Sequence, residues 1–289
     1  MPTARIRTPD FWLALNPALT IGDTRPKPWD APIRPTAEDI AGAVRNYRGK
    51  GFLELPRALC PMQAHRMRQA IENLWQNGWH PVWSFVYDDF WSIGQSQVLR
   101  QLLPQLLDGP YALLPHVFTH YVEPGPGNAG WAPHIDAGED GVASASIWIP
   151  LSPARLTNGC MYLVKRGDGI EEIVDDARER GHYSSDDLMT ILRSVRALPA
   201  NPGDLLAWDE RILHWGTPWE SGTEPRISIA LEFTPATGAE TLIDPLSPPP
   251  PFEARLQIIA RAIQTYSRFD PRVEIVARLA ENLVASTRA

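Results

Sequence analysis

Cysteine is scarce in this chain, which has 289 residues and only two of them, Cys60 and Cys160. They stand far apart, and neither belongs to a Cys-x-x-Cys pair or to a cluster of His and Cys. A disulfide framework and a cysteine-based zinc site are therefore not expected. This usage is typical of a reducing compartment, and we expect a cytoplasmic protein.

Long apolar runs are also missing from the sequence. No stretch approaches the roughly eighteen consecutive apolar residues of a membrane-spanning helix. The first residues, MPTARIRTPDFWLALNP, lack the apolar core of about 7–15 residues that a secretory signal contains. We therefore expect neither a membrane span nor a secretory signal.

An excess of basic residues is the third absence. Lys and Arg number 27 against 34 Asp and Glu, so the formal net charge is −7. Proteins that bind the phosphate backbone of nucleic acids usually carry a basic excess, so nucleic acid is not an expected partner. Hydrophobic residues at 44% and charged residues at 21% are ordinary for a globular protein, and the length suits a single domain over residues 1–289.

Proline and tryptophan are abundant, with 29 Pro and 11 Trp. Proline interrupts helices and favours short elements joined by turns, while rigid indole rings suit the walls of a binding cleft. Residues 1–35 are rich in proline and are predicted to be irregular. Periodicity and capping residues predict helices over 36–48 and 61–77, and GFLELP at 51–56 is predicted to be a strand.

Beyond residue 110 the hydrophobic pattern changes to a period of two, which predicts β-strands. The expected strands are HVFTHYV (116–122), ASASIWIPL (143–151), CMYLV (160–164), LLAW (205–208) and RISIALEF (226–233). In the last run, alternate residues from Ile227 to Phe233 form an apolar face, and those from Arg226 to Glu232 form a more polar one. If the apolar faces pack on helices, the polar faces line a common hollow with a wet mouth. We therefore predict a mainly β fold with flanking helices, a cupin-like jelly-roll barrel with its core at about 110–235.

Two helical regions are expected outside this core. The acidic insertion at 167–200 has a Ser-Ser-Asp-Asp capping signal at 184–187, followed by a helical stripe that runs from Leu188 to Val195. It is expected to form a lid or a side wall of the barrel. Amphipathic patterns predict C-terminal helices within 252–287, which could brace the barrel or form a dimer face. A monomer or a homodimer is expected.

Two short motifs contain side chains that can bind a metal ion. APHIDAG at 132–138 contains His134 and Asp136, and DERILHWGTP at 209–218 contains His214. In an extended backbone, two residues separated by one point the same way, so His134 and Asp136 can hold one ion. Two imidazoles and a carboxylate on one side of a metal, with open positions opposite, are the ligand set of non-haem Fe(II) oxygenases.

Other motifs accompany the metal ligands in a recognisable order. Arg226 follows His214 and precedes Ser228 on the polar face of its strand, where a guanidinium can hold a carboxylate through two hydrogen bonds. The order along the chain is His-x-Asp, the strand WIPL, Asn-Gly-Cys, Gly-Asp before a strand, the distal His and Arg-x-Ser. Over about residues 117–233 this order resembles the phytanoyl-CoA dioxygenase family of Fe(II)- and 2-oxoglutarate-dependent oxygenases.

The resemblance implies a double-stranded β-helix, with Fe(II) bound by His134, Asp136 and His214. It also implies 2-oxoglutarate as cosubstrate with O2, and the far carboxylate of 2-oxoglutarate on Arg226 with Ser228. The strand before the metal motif often supplies a polar side chain near the iron end of the cosubstrate, and Tyr121 is the expected residue here. Trp131 and Trp148 are expected to border the substrate. His116 and His120 share one face of that strand, where structural roles are favoured over contact with the iron or the substrate.

The implied reaction is the hydroxylation of a C–H bond in a small-molecule substrate, with release of succinate and CO2. The aspartate at position 136 favours hydroxylation over halogenation, because halogenases of this broader class lack the carboxylate ligand. This chain departs from the family at VKRGDG, residues 164–169, where Pro-Gly-Ser-His is frequent, so the adjoining lid is expected to differ. Two alternatives remain open: a cupin-like metalloenzyme that needs no 2-oxoglutarate, and a metal-binding barrel without catalysis.

Overall fold

The computed structural model describes residues 3–22, 31, 35–136, 143–167, 169–237, 242–266 and 273–285. Within these residues the strands are β1 Phe52–Leu55, β2 Tyr111–Val122, β3 Ala145–Pro150, β4 Met161–Val164, β5 Val195–Leu198, β6 Leu205–Asp209, β7 His214–Gly216 and β8 Arg226–Pro235. The helices are α1 Thr3–Ile6, α2 Pro9–Leu15, α3 Ala37–Lys50, α4 Pro61–Gln76, α5 Asp88–Trp91, α6 Gln97–Leu106, α7 Ile170–Arg180, α8 Ser185–Ser194, α9 Phe252–Tyr266 and α10 Glu274–Ala285.

The strands form two antiparallel sheets. The larger has five strands in the order β1-β6-β3-β8-β2, and the smaller has three in the order β5-β4-β7. Every predicted strand is present, with ends that shift by a few residues. More of the described residues lie in helices than in strands, so the prediction of a mainly β protein holds for the strand-rich segment and not for the whole chain.

The two faces of the larger sheet have different partners. Alternate side chains such as Ile147, Ile229 and Leu231 pack with the helices in one core. The opposite face packs with the smaller sheet, where Trp148 and Leu206 belong to a second core. The predicted division of β8 into an apolar and a polar face is therefore confirmed.

The polar face of β8 differs from the prediction in its exposure to water. Arg226 is 1% exposed and Ser228 is 0% exposed, because the smaller sheet covers this face. The predicted hollow is therefore an enclosed space between two sheets at this end. Enclosure matters because charges interact more strongly where water is excluded.

Both helices predicted before residue 80 are confirmed. α3 begins after Thr36, whose side chain accepts from the Asp39 backbone while the Asp39 carboxylate accepts from the Thr36 backbone, which makes a capping box. It ends at Gly51, whose φ of 80° lies in the left-handed region that terminates many helices. α4 starts at Pro61, where a missing N–H costs nothing.

The expectation that the first residues are irregular is wrong for 3–15, which contain α1 and α2. Pro9 occupies the first turn of α2, and Trp12 on that helix is fully buried. Its ring stacks on Trp83 with 4.9 Å between ring centroids. Burial of one large aromatic side chain thus stabilises a short helix that local propensity alone would not predict.

The segment between α4 and β2 received no prediction from the sequence. It contains short 3-10 turns at Pro81–Val86 and Ser92–Gln95 together with α5 and α6. Residues such as Phe85 and Phe90 are fully buried there. These elements cover the helix-facing side of the larger sheet.

The acidic insertion contains two helices, α7 and α8. The predicted cap is confirmed, since Ser184 and Asp187 form a capping box at the start of α8. The predicted helical stripe is wrong at its last position: α8 ends at Ser194, and Val195 begins β5, opposite Val164 of β4. Pairing with a neighbouring strand outweighs the helical pattern at this residue.

The predicted C-terminal helices are present as α9 and α10, although residues 267–272 and 286–287 of the predicted range lie outside the described residues. α9 packs against the edge strand β2, where the Tyr266 hydroxyl bonds the backbone N–H and the carbonyl of Thr119. It thereby braces the larger sheet. Among the described helices none is long and apolar enough to cross a membrane.

Candidate metal centre

A cavity between the two sheets collects most of the residues that the motifs single out. Its walls come from strands β2, β3, β4, β6, β7 and β8 and from the segment 131–136. Aromatic side chains dominate the lining, and they include Phe118, Trp131, Trp148 and Trp208.

His134, Asp136 and His214 meet in this cavity. Each offers a ligand atom, and these atoms lie within 4.8 Å of one another. Nε2 of each histidine lies 3.6 Å from a carboxylate oxygen of Asp136. The two histidines are held together by the backbone, because the N–H of each donates to the carbonyl of the other at 3.0 and 2.9 Å. The structure therefore brings the three predicted ligands to one point.

Further hydrogen bonds orient the ligand atoms. Nδ1 of His134 lies 2.7 Å from the Ala132 carbonyl, and Nδ1 of His214 lies 2.9 Å from the Ile212 carbonyl. A carbonyl oxygen only accepts, so each Nδ1 carries the proton and each Nε2 presents its lone pair to the cavity. This is the tautomer that a metal-binding histidine needs.

The Asp136 carboxylate is also held from behind. Its Oδ2 accepts hydrogen bonds from the Ser146 hydroxyl at 2.7 Å and from the Trp208 indole at 3.1 Å. Burial by itself raises the pKa of Asp136, but the nearby His214 ring and the Ser146 hydrogen bond outweigh it and keep the pKa below the ordinary value. Burial lowers the pKa of His214. The ligand set is therefore an ionised carboxylate and a neutral imidazole, the protonation states that bind a metal.

Arg226 lies in the same cavity and is fully enclosed. Its Nε donates to the Gly159 carbonyl at 2.9 Å and its Nη1 donates to the Ser228 hydroxyl at 2.8 Å. The guanidinium carbon lies 5.9 Å from the centroid of the Trp148 ring. Burial lowers the pKa of Arg226 to about 10, which still leaves the group charged at neutral pH.

A second buried arginine, Arg255, shows by comparison what is unusual about Arg226. Arg255 donates to Asp88 at 2.6 Å, so that buried cation has a buried counter-charge. Within the described residues no carboxylate lies within ion-pair distance of Arg226. An uncompensated buried charge is expensive, so Arg226 is suited to an anion from outside the chain.

Two glycines make room for this guanidinium. A Cβ on Gly216 would lie 2.9 Å from Nη2 of Arg226 and 2.7 Å from Cα of Gly130. A Cβ on Gly130 would lie 2.7 Å from the same nitrogen. The sequence predictions did not include these glycines, because only the approach of two segments distant in sequence explains them.

Of the other predicted site residues, some line the cavity and one does not. Trp131 and Trp148 line the cavity, and Ser228 is bonded to Arg226. Tyr121 does not line it: its side chain is on the opposite face of β2 and stacks on Trp75, with 4.8 Å between ring centroids. The structure therefore gives no support to Tyr121 as a contact of the cosubstrate.

His120 occupies the cavity face of β2 instead. It pairs with Ser228 across the two strands, and its ring centroid lies 4.8 Å from that of Trp131. Burial, and next the charge of Arg226, hold the pKa of His120 well below its ordinary value, so the ring is neutral. The period of two was the available signal, because it puts Phe118 and His120 on one face of β2, and both line the cavity. His116 departs from that face at the β-bulge between Leu113 and Val117 and does not line the cavity.

Sequence comparison identifies the family. Residues 47–228, more than half of the chain, match the sequence model of the phytanoyl-CoA dioxygenase (PhyH) family. The chain belongs to this family. The resemblance seen in the order of the motifs is thereby confirmed. No curated protein sequence matches this PhyH-family chain.

Solved structures with the same fold are similar at low sequence identity. The epimerase SnoN, solved with Fe3+, alpha ketoglutarate and nogalamycin RO, has 17% identity and a TM-score of 0.54, over 72% of this chain and 95% of SnoN. The alpha ketoglutarate dependent carbocyclase SnoK has 17% identity and a TM-score of 0.53, over 71% of this chain and 88% of SnoK. AviO1 from Streptomyces viridochromogenes Tue57 has 18% identity and a TM-score of 0.52, over 72% of this chain and all 100% of AviO1.

Proposed function

We propose that this PhyH-family protein is an Fe(II)- and 2-oxoglutarate-dependent dioxygenase that hydroxylates a C–H bond of a small molecule and releases succinate and CO2. One observation carries the proposal. A buried arginine without a carboxylate partner among the described residues shares a cavity with a His–Asp–His cluster. A site for a dicarboxylate thus adjoins a site for a cation.

The donor set fits iron. His134, Asp136 and His214 present two imidazole nitrogens and a carboxylate from one side, which leaves the cavity side for other ligands. SnoN, with the same fold, was solved with Fe3+ and alpha ketoglutarate. When bound, the iron supplies the activation of O2, for which 2-oxoglutarate is the two-electron donor.

The chain's own residues hold the cosubstrate and exclude water. Arg226 with Ser228 takes one carboxylate of 2-oxoglutarate, which supplies the counter-charge that no described residue provides. Trp148 covers the guanidinium, and neutral His120 closes the cavity on the β2 side. Arg226 at one end and the three metal ligands at the other set the direction of the cosubstrate.

The proposal includes the architecture of the double-stranded β-helix. The two antiparallel sheets are the halves of a double-stranded β-helix, a jelly-roll barrel with the cavity between them. The chain forms one catalytic domain, and the insertion with α7 and α8 serves as its lid or side wall. The substrate, rather than a macromolecular partner, then occupies the aromatic part of the cavity.

The experiment is a succinate-release assay with Fe(II), 2-oxoglutarate and O2. Succinate from the wild type and none from His214→Ala supports the proposal. A 2-oxoglutarate-independent metalloenzyme predicts turnover without the cosubstrate and no effect of Arg226→Ala, and a non-catalytic barrel predicts metal binding without succinate.

The reaction outcome is read from the product. SnoN is named an epimerase and SnoK a carbocyclase, so the fold accommodates outcomes other than hydroxylation. Hydroxylation predicts a product that is heavier by one oxygen atom taken from isotopically labelled O2. Asp136 occupies a ligand position, so no chlorinated product is expected even in excess chloride. An isomer or a ring-closed product would agree with the proposed enzyme class but would show that the reaction is not hydroxylation.

A further inference from the structure

Among the described residues that line the cavity, Glu232 is the charged side chain that the proposed function does not use. It follows Arg226, Ser228 and Ala230 on the inner face of β8, and it lines the same cavity as the metal ligands. Only 12% of its side chain is exposed. A carboxylate so deprived of water needs partners, and the structure shows one of them.

That partner is His116, which a β-bulge directs at the carboxylate. Leu113 pairs with Phe233 and Val117 pairs with Leu231, so three residues of β2 lie opposite Glu232 alone. Nδ1 of His116 lies 2.9 Å from Oε2 of Glu232. Bulges re-aim side chains beside active sites. The bulge therefore anchors one carboxylate oxygen from the solvent side, where the His116 side chain is 55% exposed.

The other carboxylate oxygen is available to a ligand. In the part of the chain that the structure describes, no hydrogen bond reaches Oε1 of Glu232. The surrounding wall is largely aromatic or apolar, with Phe118, Trp208 and Ala230 among its members. In such a pocket a few polar groups fix the orientation of the bound molecule.

The position of Glu232 along β8 assigns it to the substrate. It pairs with Ser146 of β3, whose hydroxyl donates to the metal ligand Asp136. It is therefore level with the metal ligands. Arg226 is six residues away, about 20 Å along an extended strand, so the cosubstrate runs from the metal away from Glu232. A group that Glu232 holds lies beside the reaction centre.

We propose that Glu232, positioned by His116, accepts a hydrogen bond from a hydroxyl or ammonium group of the substrate and so selects the carbon that faces the metal. The inference rests on the proposed function, because it names the substrate class of that same site. Burial raises the pKa of Glu232, and the hydrogen bond from His116 opposes that rise. The carboxylate that His116 holds only accepts hydrogen bonds, so a substrate with a donor is required. A purely hydrocarbon or an anionic group at this position is disfavoured.

The test uses three probes that share a cyclohexylmethyl group: cyclohexylmethylamine, cyclohexylmethanol and ethylcyclohexane. They end in an ammonium, a hydroxyl and a methyl group, and they are titrated by ligand-detected NMR into protein loaded with Zn(II) and 2-oxoglutarate. Zn(II) is chosen because it has no redox chemistry. We expect the wild type to bind the amine or the alcohol about tenfold or more tightly than the methyl compound, the gain from a hydrogen bond to a charged group.

Two variants distinguish the donors. In Glu232→Leu the preference disappears for both, whereas Glu232→Gln keeps an acceptor oxygen without charge, so a preference for the alcohol persists and one for the amine is lost. Each preference is a ratio to the methyl compound in the same variant, so a general loss of binding cancels. Glu54→Gln on the edge strand β1, outside the cavity, is the matched control and keeps the wild-type ratios.

Equal binding of the three probes by the wild type, or a donor preference that survives in Glu232→Leu, overturns the inference. If the leucine variant does not fold, the loss of the amine preference in Glu232→Gln still tests the inference. Binding of 2-oxoglutarate to the Zn(II) protein is measured first, and the probes are titrated again without it. A failure of the proposed function is therefore read separately from a failure of the role of Glu232.

Discussion

Replacing Arg255 or Arg226 by methionine distinguishes a buried cation that stabilises the fold from one that binds the cosubstrate. Methionine keeps an unbranched side chain and removes the charge. Arg255→Met leaves Asp88, whose side chain is 0% exposed, without its counter-charge. Breaking a buried ion pair in this way costs about 3–5 kcal/mol of unfolding free energy. Arg226→Met leaves no unpaired carboxylate among the described residues.

The stability of Arg226→Met without ligand should change little. The variant loses the hydrogen bonds to the Gly159 carbonyl and the Ser228 hydroxyl, each worth about 1 kcal/mol. It also loses the cost of keeping a charge out of water, which offsets them. We expect a change within about 2 kcal/mol, smaller than that of Arg255→Met.

The binding of 2-oxoglutarate should show the opposite order. At a concentration of about 100 times the wild-type Kd, the cosubstrate stabilises the folded protein by about 2.7 kcal/mol. Truncating one member of a buried charge pair costs about 2–5 kcal/mol of binding, which raises the Kd by roughly 30-fold to several thousand-fold. The gain in Arg226→Met then falls below about 1 kcal/mol, while Arg255→Met keeps the full gain.

Urea unfolding of the Zn(II)-loaded wild type and both variants, with and without 2-oxoglutarate, is the measurement. It gives the stability change of each variant without ligand and the stability that each gains from 2-oxoglutarate. If Arg226→Met gains as much stability from 2-oxoglutarate as the wild type does, Arg226 does not hold the cosubstrate. If Arg226→Met without ligand loses as much stability as Arg255→Met, Arg226 is not a buried charge without a counter-charge.

Three further outcomes are expected. His214→Ala should abolish succinate release and weaken Zn(II) binding, because one of three protein ligands is lost; unchanged Zn(II) affinity by calorimetry would show that the ligand is misassigned. Gly216→Ala should raise the half-saturating 2-oxoglutarate concentration, since its Cβ would lie 2.9 Å from the buried guanidinium, whereas Gly42→Ala, which meets only an ordinary 3.7 Å contact, should not. The hydrogen bond to Glu232 raises the pKa of His116, so NMR titration should place it above the ordinary value in the wild type and lower in Glu232→Gln. The stability that protonated His116 contributes is present below about pH 6.5 and is lost as the pH rises through the raised pKa. If His116 titrates in Glu232→Gln as it does in the wild type, the two residues do not form this hydrogen bond.

Local patterns were sufficient for much of this protein. The caps at Thr36 and Ser184 need only residues three positions apart, and both were predicted. The alternation along β8 assigned Arg226 to the inner face, because the side-chain period of a strand is two whatever surrounds it. The order of the motifs indicated the family because each motif is a short run of neighbouring residues, and their order is read directly along the chain.

Other features depend on which distant segments meet. Tyr121 and His120 are adjacent, and their alternation says that they face opposite ways; the pairing of β2 with β8 decides that His120 faces the cavity. Val195 continues a helical pattern, yet strand pairing with Val164 takes it into β5. Trp12 is buried because Trp79 and Trp83, far away in the chain, pack against its ring.

The charge state of the site is the clearest case. Arg226 and Arg255 are both buried arginines of regular elements, and their neighbouring residues do not say which of them meets a carboxylate. Folding brings Asp88 to Arg255, whereas the polar and aromatic partners of Arg226 among the described residues are a carbonyl, a hydroxyl and the ring of Trp148. Electrostatic compensation acts through space between residues far apart in the chain. The sequence could therefore identify the arginine, whereas only the tertiary contacts show that no described carboxylate compensates its charge.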